Sequence, residues 1–464
     1  MQQSLRLVEP SRWLLLSIIT AADWLWGGTR PWTQSLIAWL LTVDLMIFCM
    51  ALILLRRMPR ISSMALWAML ALLAQGWLLS WNAYPGPGGL RILLNSTPGH
   101  LSWFPSFIDQ GKSLRSMLLI TGLLGAFCIS SDLSVNKTWL MRLWKFIALI
   151  GLSIVILGLA QRFTNAPAIF WNIYENDGSY FFSVFRYHAN AGAFINLVFP
   201  LMAPLAMMSV ILKWGQTEKI LWITGTLATG AAAFVNASRA AMVIMMMMML
   251  LGACWIWILS IRPGSRMNKR GLLIIMISVA VILITLSLSF GIDQTLTRWS
   301  AFRGIAWNAD RTLTYRIIIE QLIPRTGLFG IGAGNFEAAF ASLVQAKDLP
   351  VMGRWDMAHN DYLQTLVEWG WLGTAWWGII LGGTLLRAFR MVWNVNLPME
   401  NRSLGFGVCI ALTGVMLHAG FDFPLQITSI QLGVALLCGM IWGCSLQEQT
   451  RKRKRYESSP SIGR

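Results

Sequence analysis

The sequence predicts an all-α polytopic membrane protein with about 12 transmembrane helices and one long outer loop that contains short helices. Of 464 residues, 56% are hydrophobic and only 12% are charged, whereas a soluble domain has about 25% charged residues. The apolar runs are about 20 residues long, which is the length of a membrane-spanning helix and not of the short alternating strands of a membrane β-barrel. Short basic connections follow every second run, as expected for a polytopic chain.

The predicted spans lie near residues 13–27, 35–55, 64–81, 114–133, 146–163, 191–212, 220–236, 240–259, 272–290, 360–386, 404–423 and 428–446. They divide the chain into four parts, which are helices 1–9 (1–290), the long loop (291–359), helices 10–12 (360–446) and a basic tail (447–464). Within the loop, 312–322 and 335–343 have apolar residues at helical spacing, so we expect two short helices there.

The positive-inside rule predicts the orientation. Clusters such as Arg56, Arg57 and Arg60 after the second span, and the basic run 451–455 after the last, assign the short basic connections and both termini to the cytoplasm. Loops 82–113, 164–190 and 291–359 then lie outside. No small-residue cleavage site follows the first apolar run, so we expect a retained first helix and not a removed signal peptide.

The composition argues against two other functional classes. The net charge is +17, but the basic residues are dispersed between apolar runs, which favours topology signals and anionic partners over nucleic acid. All six cysteines lie inside apolar runs, so we expect neither a disulfide framework nor a zinc site.

The most informative stretch is 358–373, where the polar loop ends and an apolar helix begins. His359 would lie at the mouth of this helix, where polar chemistry meets the membrane. A lone histidine there is either a hydrogen-bonded interface residue or a proton acceptor. Gly370 and Gly373 would let another helix approach closely.

Four arginines are predicted on the same outer face, next to helix ends. Arg186 lies where span six begins, together with His188; Arg239 lies in the tight turn between spans seven and eight; Arg311 and Arg316 lie in the long loop. Arginine is unexpected there and is costly unless paired or solvated. Their convergence suggests an anionic ligand, and a diphosphate suits the guanidinium fork.

Each of these features also has a simpler interpretation. Arg239 can snorkel to the interface, Arg311 can pair with Asp310, and Arg316 can solvate a loop helix. The glycine-rich segment 329–335 lacks the dinucleotide fingerprint and follows no strand, so it is interpreted as a turn between loop helices and not as a phosphate cradle.

Two segments of the long loop carry a resemblance to a known family. One is His359-Asn360-Asp361-Tyr362-Leu363, followed by Gly370. The other is an arginine-containing helix, 310–316, followed by a Gly-rich turn, 327–332, although the proline usual in this turn is displaced to Pro324. The pattern resembles that of the bacterial O-antigen ligase and O-antigen polymerase superfamily.

Three further segments are similar to signatures of the same superfamily. They are the Ser238-Arg239-Ala240 turn, the segment 190–192, and His418-Ala-Gly-Phe-Asp422-Phe-Pro424. The resemblance covers roughly residues 180–430, and about twelve spans agree with the family topology.

The resemblance implies a glycosyltransferase in the bacterial inner membrane with its active site facing the periplasm. It implies a polyprenyl diphosphate-linked glycan donor, a glycolipid (lipid A–core) or glycan acceptor, contact with membrane lipids, and no metal or other cofactor. His359 would be the catalytic base, and Arg239, Arg311, Arg316 and Arg186 would bind the donor diphosphate. The supporting residues would be Asn360, His188, His418 and Asp422.

Several functions remain open at this stage. Within the superfamily, the chain can be a ligase, a polymerase that extends one lipid-linked glycan with another, or a protein O-glycosylating relative. A transporter or flippase would instead use polar groups deep within the spans, for which Asp23 and Asp44 are candidates.

Overall fold

The computed structural model describes residues 2–83, 101, 103–172, 181–261, 306–347, 349, 351 and 353–457. These residues form helices and connecting turns, without a β-strand among them. The predicted all-α membrane fold is confirmed at this level.

The long helices are α1 (Gln2–Trp24), α2 (Pro31–Leu54), α3 (Ser63–Asn82), α4 (Gln110–Ser134), α5 (Lys137–Phe163), α6 (His188–Ile211), α7 (Gln216–Val235), α8 (Arg239–Ile261), α12 (Asp361–Trp393), α13 (Met399–Ala419) and α14 (Thr428–Glu457). Between α8 and α12, the described residues include three shorter ones, α9 (Ala306–Ile317), α10 (Ile323–Thr326) and α11 (Phe336–Ala346). A π-helical turn, Ile318–Leu322, joins α9 to α10.

Eight of the described helices are long and apolar enough to cross a membrane, namely α2, α3, α4, α5, α6, α8, α13 and α14. The predicted spans at α1, α7 and α12 are also helical but do not meet that criterion, and the predicted span 272–290 lies outside the described residues. The number twelve therefore stays a prediction. The predicted tail begins at 447, whereas α14 continues as a helix to Glu457.

The helices share one large apolar core, and α14 is central to it. A Cβ on Gly439 or Gly443 would lie 2.3 Å from the Phe127 carbonyl oxygen or 2.2 Å from that of Ser131, so the two glycines allow α14 and α4 to touch backbone to backbone. Small residues at such a crossing are typical of membrane helix pairs.

The loop segment has a second, smaller apolar core of its own. Ile317 and Leu322 meet Phe336, Phe340 and Val367 there. The two predicted loop helices are confirmed, although the first begins at Ala306 and includes the π-helical turn.

The glycine-rich segment that precedes α11 is attached to a break in α12. Gly370 has φ +62° and ψ −172°, which interrupts the helix. The Ile331 and Gly332 amides donate to the carbonyls of Val367 and Glu368 at 3.0 and 2.9 Å. In return, the Leu372 amide donates to the Leu328 carbonyl at 3.1 Å.

This attachment confirms the interpretation of 329–335 as a turn between loop helices and corrects that of Gly370. The backbone that approaches Gly370 belongs to the loop and not to another helix: a Cβ there would lie 2.3 Å from the Leu328 carbonyl oxygen. Gly373 faces Trp369 of its own helix and Gln75 of α3. The Gln75 side chain donates to the carbonyls of Phe329 and Trp369 and so joins the loop to α12.

We expect Gly330→Ala to lower the melting temperature of the purified protein. Gly330 has φ +77°, and a Cβ would lie 2.4 Å from the Glu368 carbonyl oxygen. The backbone strain alone costs about 1–3 kcal/mol. Gly378→Ala in α12 is the control, because a Cβ there meets nothing within 4 Å. An unchanged melting temperature for Gly330→Ala would contradict the close approach.

Candidate active site

The turn between α13 and α14, residues 420–427, receives side chains from two other parts of the chain. Asn360, the N-cap of α12, donates from Nδ2 to the Gly420 carbonyl at 3.2 Å. Arg311 of α9 donates to the Phe421 carbonyl at 2.7 Å. The buried Asp361 carboxylate accepts from the Leu425 amide at 2.8 Å. The turn thus fixes the loop helix and the start of α12 relative to each other.

The backbone of His359 has a conformation that residues other than glycine seldom adopt. Its φ of +50° lies in the left-handed region. The Tyr315 hydroxyl donates to its carbonyl at 2.6 Å, and the Gln364 side chain accepts from the preceding Ala358 amide at 3.1 Å. These contacts and the Asn360 cap over-determine the backbone and therefore aim the imidazole.

The imidazole of His359 meets the carboxylate of Asp422, with Nδ1 3.0 Å from Oδ1. Arg311 Nη2 is also 3.2 Å from Nδ1. Because a carboxylate only accepts and a guanidinium only donates, Nδ1 cannot satisfy both at once. Asp422 is 8% exposed and needs donors, whereas Arg311 already donates to Phe421. We therefore assign the proton to Nδ1, which leaves Nε2 as the basic nitrogen in the neutral ring.

Asp422 lies outside the spanning helices and is held as an anion. Burial by itself would raise its pKa, but the hydrogen bond from His359 and the positive charges of His359, His418 and Arg311 together lower that pKa below its ordinary value. Its second oxygen, Oδ2, accepts from the Tyr187 hydroxyl at 3.0 Å. A persistent carboxylate can orient the imidazole and stabilise it when it becomes protonated.

Of the two loop arginines that were predicted to bind the donor, Arg311 lies at the His359–Asp422 pair. Arg311 and Tyr315 are one helical turn apart on α9, so both face His359. Arg316 is exposed, and its ion-pair partner is Glu320, at 4.0 Å. In the part of the chain that the structure describes, Arg316 has no contact with His359, so it is not brought to the site.

The remaining arginines lie on neighbouring helix ends. Arg239 is the half-buried first residue of α8. The turn before it packs on the start of α6, since the Asn236 side chain donates to the His188 carbonyl at 2.8 Å. The His188 ring lies edge-on to Tyr187, which bonds Asp422. Arg186 is exposed just before Tyr187. These contacts link the starts of α6 and α8 to the turn that carries Asp422, while the donor-binding role of the arginines stays a prediction.

His418 lies on the last turn of α13, behind Asp422. It is fully buried, and neither ring nitrogen has a hydrogen-bond partner among the described residues. It does not reach the surface as His359 does.

Sequence reasoning missed four residues of this site, Tyr187, Tyr315, Trp355 and Phe423. The Phe423 ring lies edge-on to the His359 ring, with centroids 4.8 Å apart, and stacks on the Tyr187 ring at 5.8 Å. The Trp355 ring also lies edge-on to the His359 ring, at 5.5 Å. Tyr187 stands between Arg186 and His188, and Phe423 follows Asp422, so neighbouring polar residues were the available signals. The same signal was present for Tyr315, which precedes Arg316, and for Trp355, which stands between two charged residues.

The hydrogen-bond pattern predicts the Nδ1–H tautomer for neutral His359. Nitrogen NMR of histidine-labelled protein, at a pH where the ring is neutral, should show a protonated Nδ1 and a basic Nε2, with His359→Gln identifying the signal. Asp422→Asn should reduce this tautomer, because an amide oxygen is a weaker acceptor than a carboxylate. A dominant Nε2–H form in the unmodified protein would contradict the assignment.

A comparison with known protein families finds a match for one segment of the chain. No curated protein matches the chain. Residues 224–378 match the family O-antigen ligase. The match includes Arg239, Arg311 and His359, whereas Tyr187 and Asp422 lie beyond it. It confirms the resemblance found in the motifs and places this segment in the O-antigen ligase superfamily of glycosyl-transferring membrane enzymes.

Proposed function

We propose that the protein transfers a glycan from a polyprenyl diphosphate carrier to a hydroxyl of an acceptor glycolipid of the lipid A–core type. The observation that carries the proposal is the His359–Asp422 pair, which lies beside Arg311 at the end of the helix bundle. A base next to a fixed cation suits the transfer of a group from an anionic leaving group.

In the proposed reaction, the acceptor hydroxyl oxygen attacks the anomeric carbon of the donor. The hydroxyl proton passes to His359 Nε2, and Asp422 stabilises the resulting imidazolium through Nδ1. The bond between the anomeric carbon and the diphosphate oxygen breaks, and its electron pair leaves with the diphosphate. This single displacement inverts the anomeric centre and draws on the donor's own good leaving group.

Arg311 is proposed to receive the developing charge on the diphosphate. It is half-buried and fixed by the Phe421 carbonyl, so its guanidinium needs little reorganisation. Arg239 and the exposed Arg186 would approach from the starts of α8 and α6. Arg316 is left with, at most, a role in attracting the anionic donor from a distance.

The proposal places the site on the periplasmic side of the inner membrane. It rests on the alternation of basic connections, which assigns both termini to the cytoplasm. The ends of α6, α8 and α12 that surround His359 are then periplasmic.

Reconstitution of the purified protein with a synthetic polyprenyl-diphosphate glycan and a lipid A–core acceptor tests the reaction. A ligase forms glycan-bearing glycolipid. If the lipid-linked glycan only becomes longer while the acceptor stays unmodified, the protein is a polymerase. If no covalent product forms but the donor moves across the membrane, it is a transporter.

We expect His359→Ala and His359→Gln to bind the donor normally but to turn over at most about a hundredth as fast, because a general base contributes about 10²–10⁴-fold. Glutamine keeps a hydrogen bond but takes no proton at neutral pH. Wild-type turnover should fall at acid pH as the ring becomes protonated, with donor binding nearly unchanged. An active His359→Gln protein with a flat acid limb would show that His359 only orients the loop.

The two arginines of α9, Arg311 and Arg316, allow the same substitution to be compared at the site and at an exposed position. Arg311→Lys should lose most activity, since lysine lacks the planar fork and one charge-assisted contact is worth about 1.5–3 kcal/mol. Arg239→Lys should behave similarly. Arg316→Lys, five residues further on and exposed, should stay within about twofold of wild type, as surface substitutions do. Equal losses at 311 and 316, measured as kcat/KM at matched protein level, would contradict the assignment.

A further inference from the structure

We infer that Tyr187 is a positioning residue that, through Asp422, sets the proton affinity of His359. The inference rests on the proposed function for its kinetic readout. Its geometric basis is independent, because the Tyr187 hydroxyl donates to Oδ2 of the same carboxylate whose Oδ1 accepts from His359.

Tyr187 is well placed to hold a fixed donor. It is the N-cap of α6, with an extended backbone, and its carbonyl accepts from the amides of Asn190 and Ala191 at 3.1 and 3.3 Å. Its ring stacks on Phe423 with an interplanar angle of 11°. Phe423 also contacts the His359 ring, so the same side chain packs against both residues that bond the Asp422 carboxylate.

The phenol remains a donor across the pH range of the reaction. Burial, followed by the negative charge of Asp422, raises the pKa of Tyr187 well above its ordinary value. The hydroxyl therefore keeps its proton and withdraws negative charge from the Asp422 carboxylate throughout this pH range. Without it, Asp422 would carry a fuller negative charge toward His359 and would favour the protonated imidazole.

Other charged and titratable groups also face Asp422, and one of them, Arg311, forms a hydrogen bond with the Tyr187 hydroxyl as well. Arg311 approaches from α9, His418 from α13 and Asp361 from the start of α12. Arg311 and His418 disfavour a proton on the carboxylate. Tyr187 bonds Oδ2 of Asp422, whereas His359 contacts Oδ1.

Tyr187→Phe tests the inference, because it removes the hydroxyl and keeps the stacked ring. We expect KM to stay unchanged and kcat to fall only on the acid side of the profile, by about tenfold for each pH unit of the shift, because more of His359 is protonated there. The acid limb of the kcat profile should move to higher pH. Tyr362→Phe is the control: this tyrosine donates to the Met416 carbonyl at 2.6 Å, outside the site, and its loss should leave the acid limb in place.

Site-specific 3-fluorotyrosine at position 187 keeps both the ring and the hydroxyl and should shift the acid limb in the opposite direction. Fluorine makes the phenol a stronger donor, so the acid limb should move to lower pH. Wild-type behaviour of both variants, or a loss of kcat in Tyr187→Phe without a shift of the acid limb, would overturn the positioning role.

A readout without activity separates this inference from the proposed reaction. The NMR titration midpoint of His359 should rise in Tyr187→Phe and fall with 3-fluorotyrosine. If the wild-type protein transfers no glycan but these midpoints move, the proposed function fails and the role of Tyr187 stands. If transfer occurs and the midpoints stay fixed, the role of Tyr187 is wrong.

Discussion

The site depends on the backbone contact between Gly330 and Gly370. A Cβ on either residue would lie within 2.5 Å of backbone atoms of the other segment. Because Gly370 breaks α12, the carbonyls of Val367 and Glu368 are free to accept from the loop. The Glu368 carboxylate in turn accepts from the Phe336 amide at 3.3 Å, at the start of α11. A helix interruption thus becomes the attachment point of the loop segment.

This attachment determines how α9 presents its polar face. The described part of the loop is attached at Gly330 and at the cap of α12, and it has an apolar core of its own. Arg311 and Tyr315 can therefore meet His359 although 48 and 44 positions separate them in the chain. Catalytic groups on a loop gain precision when a rigid scaffold holds both ends of that loop.

The sequence predicted the helices well, because hydropathy and helical period are local properties. It also predicted His359 and, through the family resemblance, Asp422. It did not predict the break in α12, since the apolar spacing of Leu363, Val367 and Trp371 continues through Gly370 as if the helix were unbroken. Nor did it separate Arg311 from Arg316: both lie on one amphipathic helix, and only the position of α9 against residues 420–427 shows which of them faces His359.

The boundary position of the pair explains how one site can combine an accessible imidazole with a strongly held anion. Asp422 is nearly buried, so its interactions with His359 and Tyr187 act in a low dielectric and are weakly screened. The His359 side chain, 26% exposed, keeps a path to an acceptor hydroxyl from the aqueous side. A deeper site would penalise the arginines and the diphosphate, and a shallower one would let water weaken the pair. The end of the bundle, where a membrane-anchored donor meets a polar acceptor, satisfies both requirements.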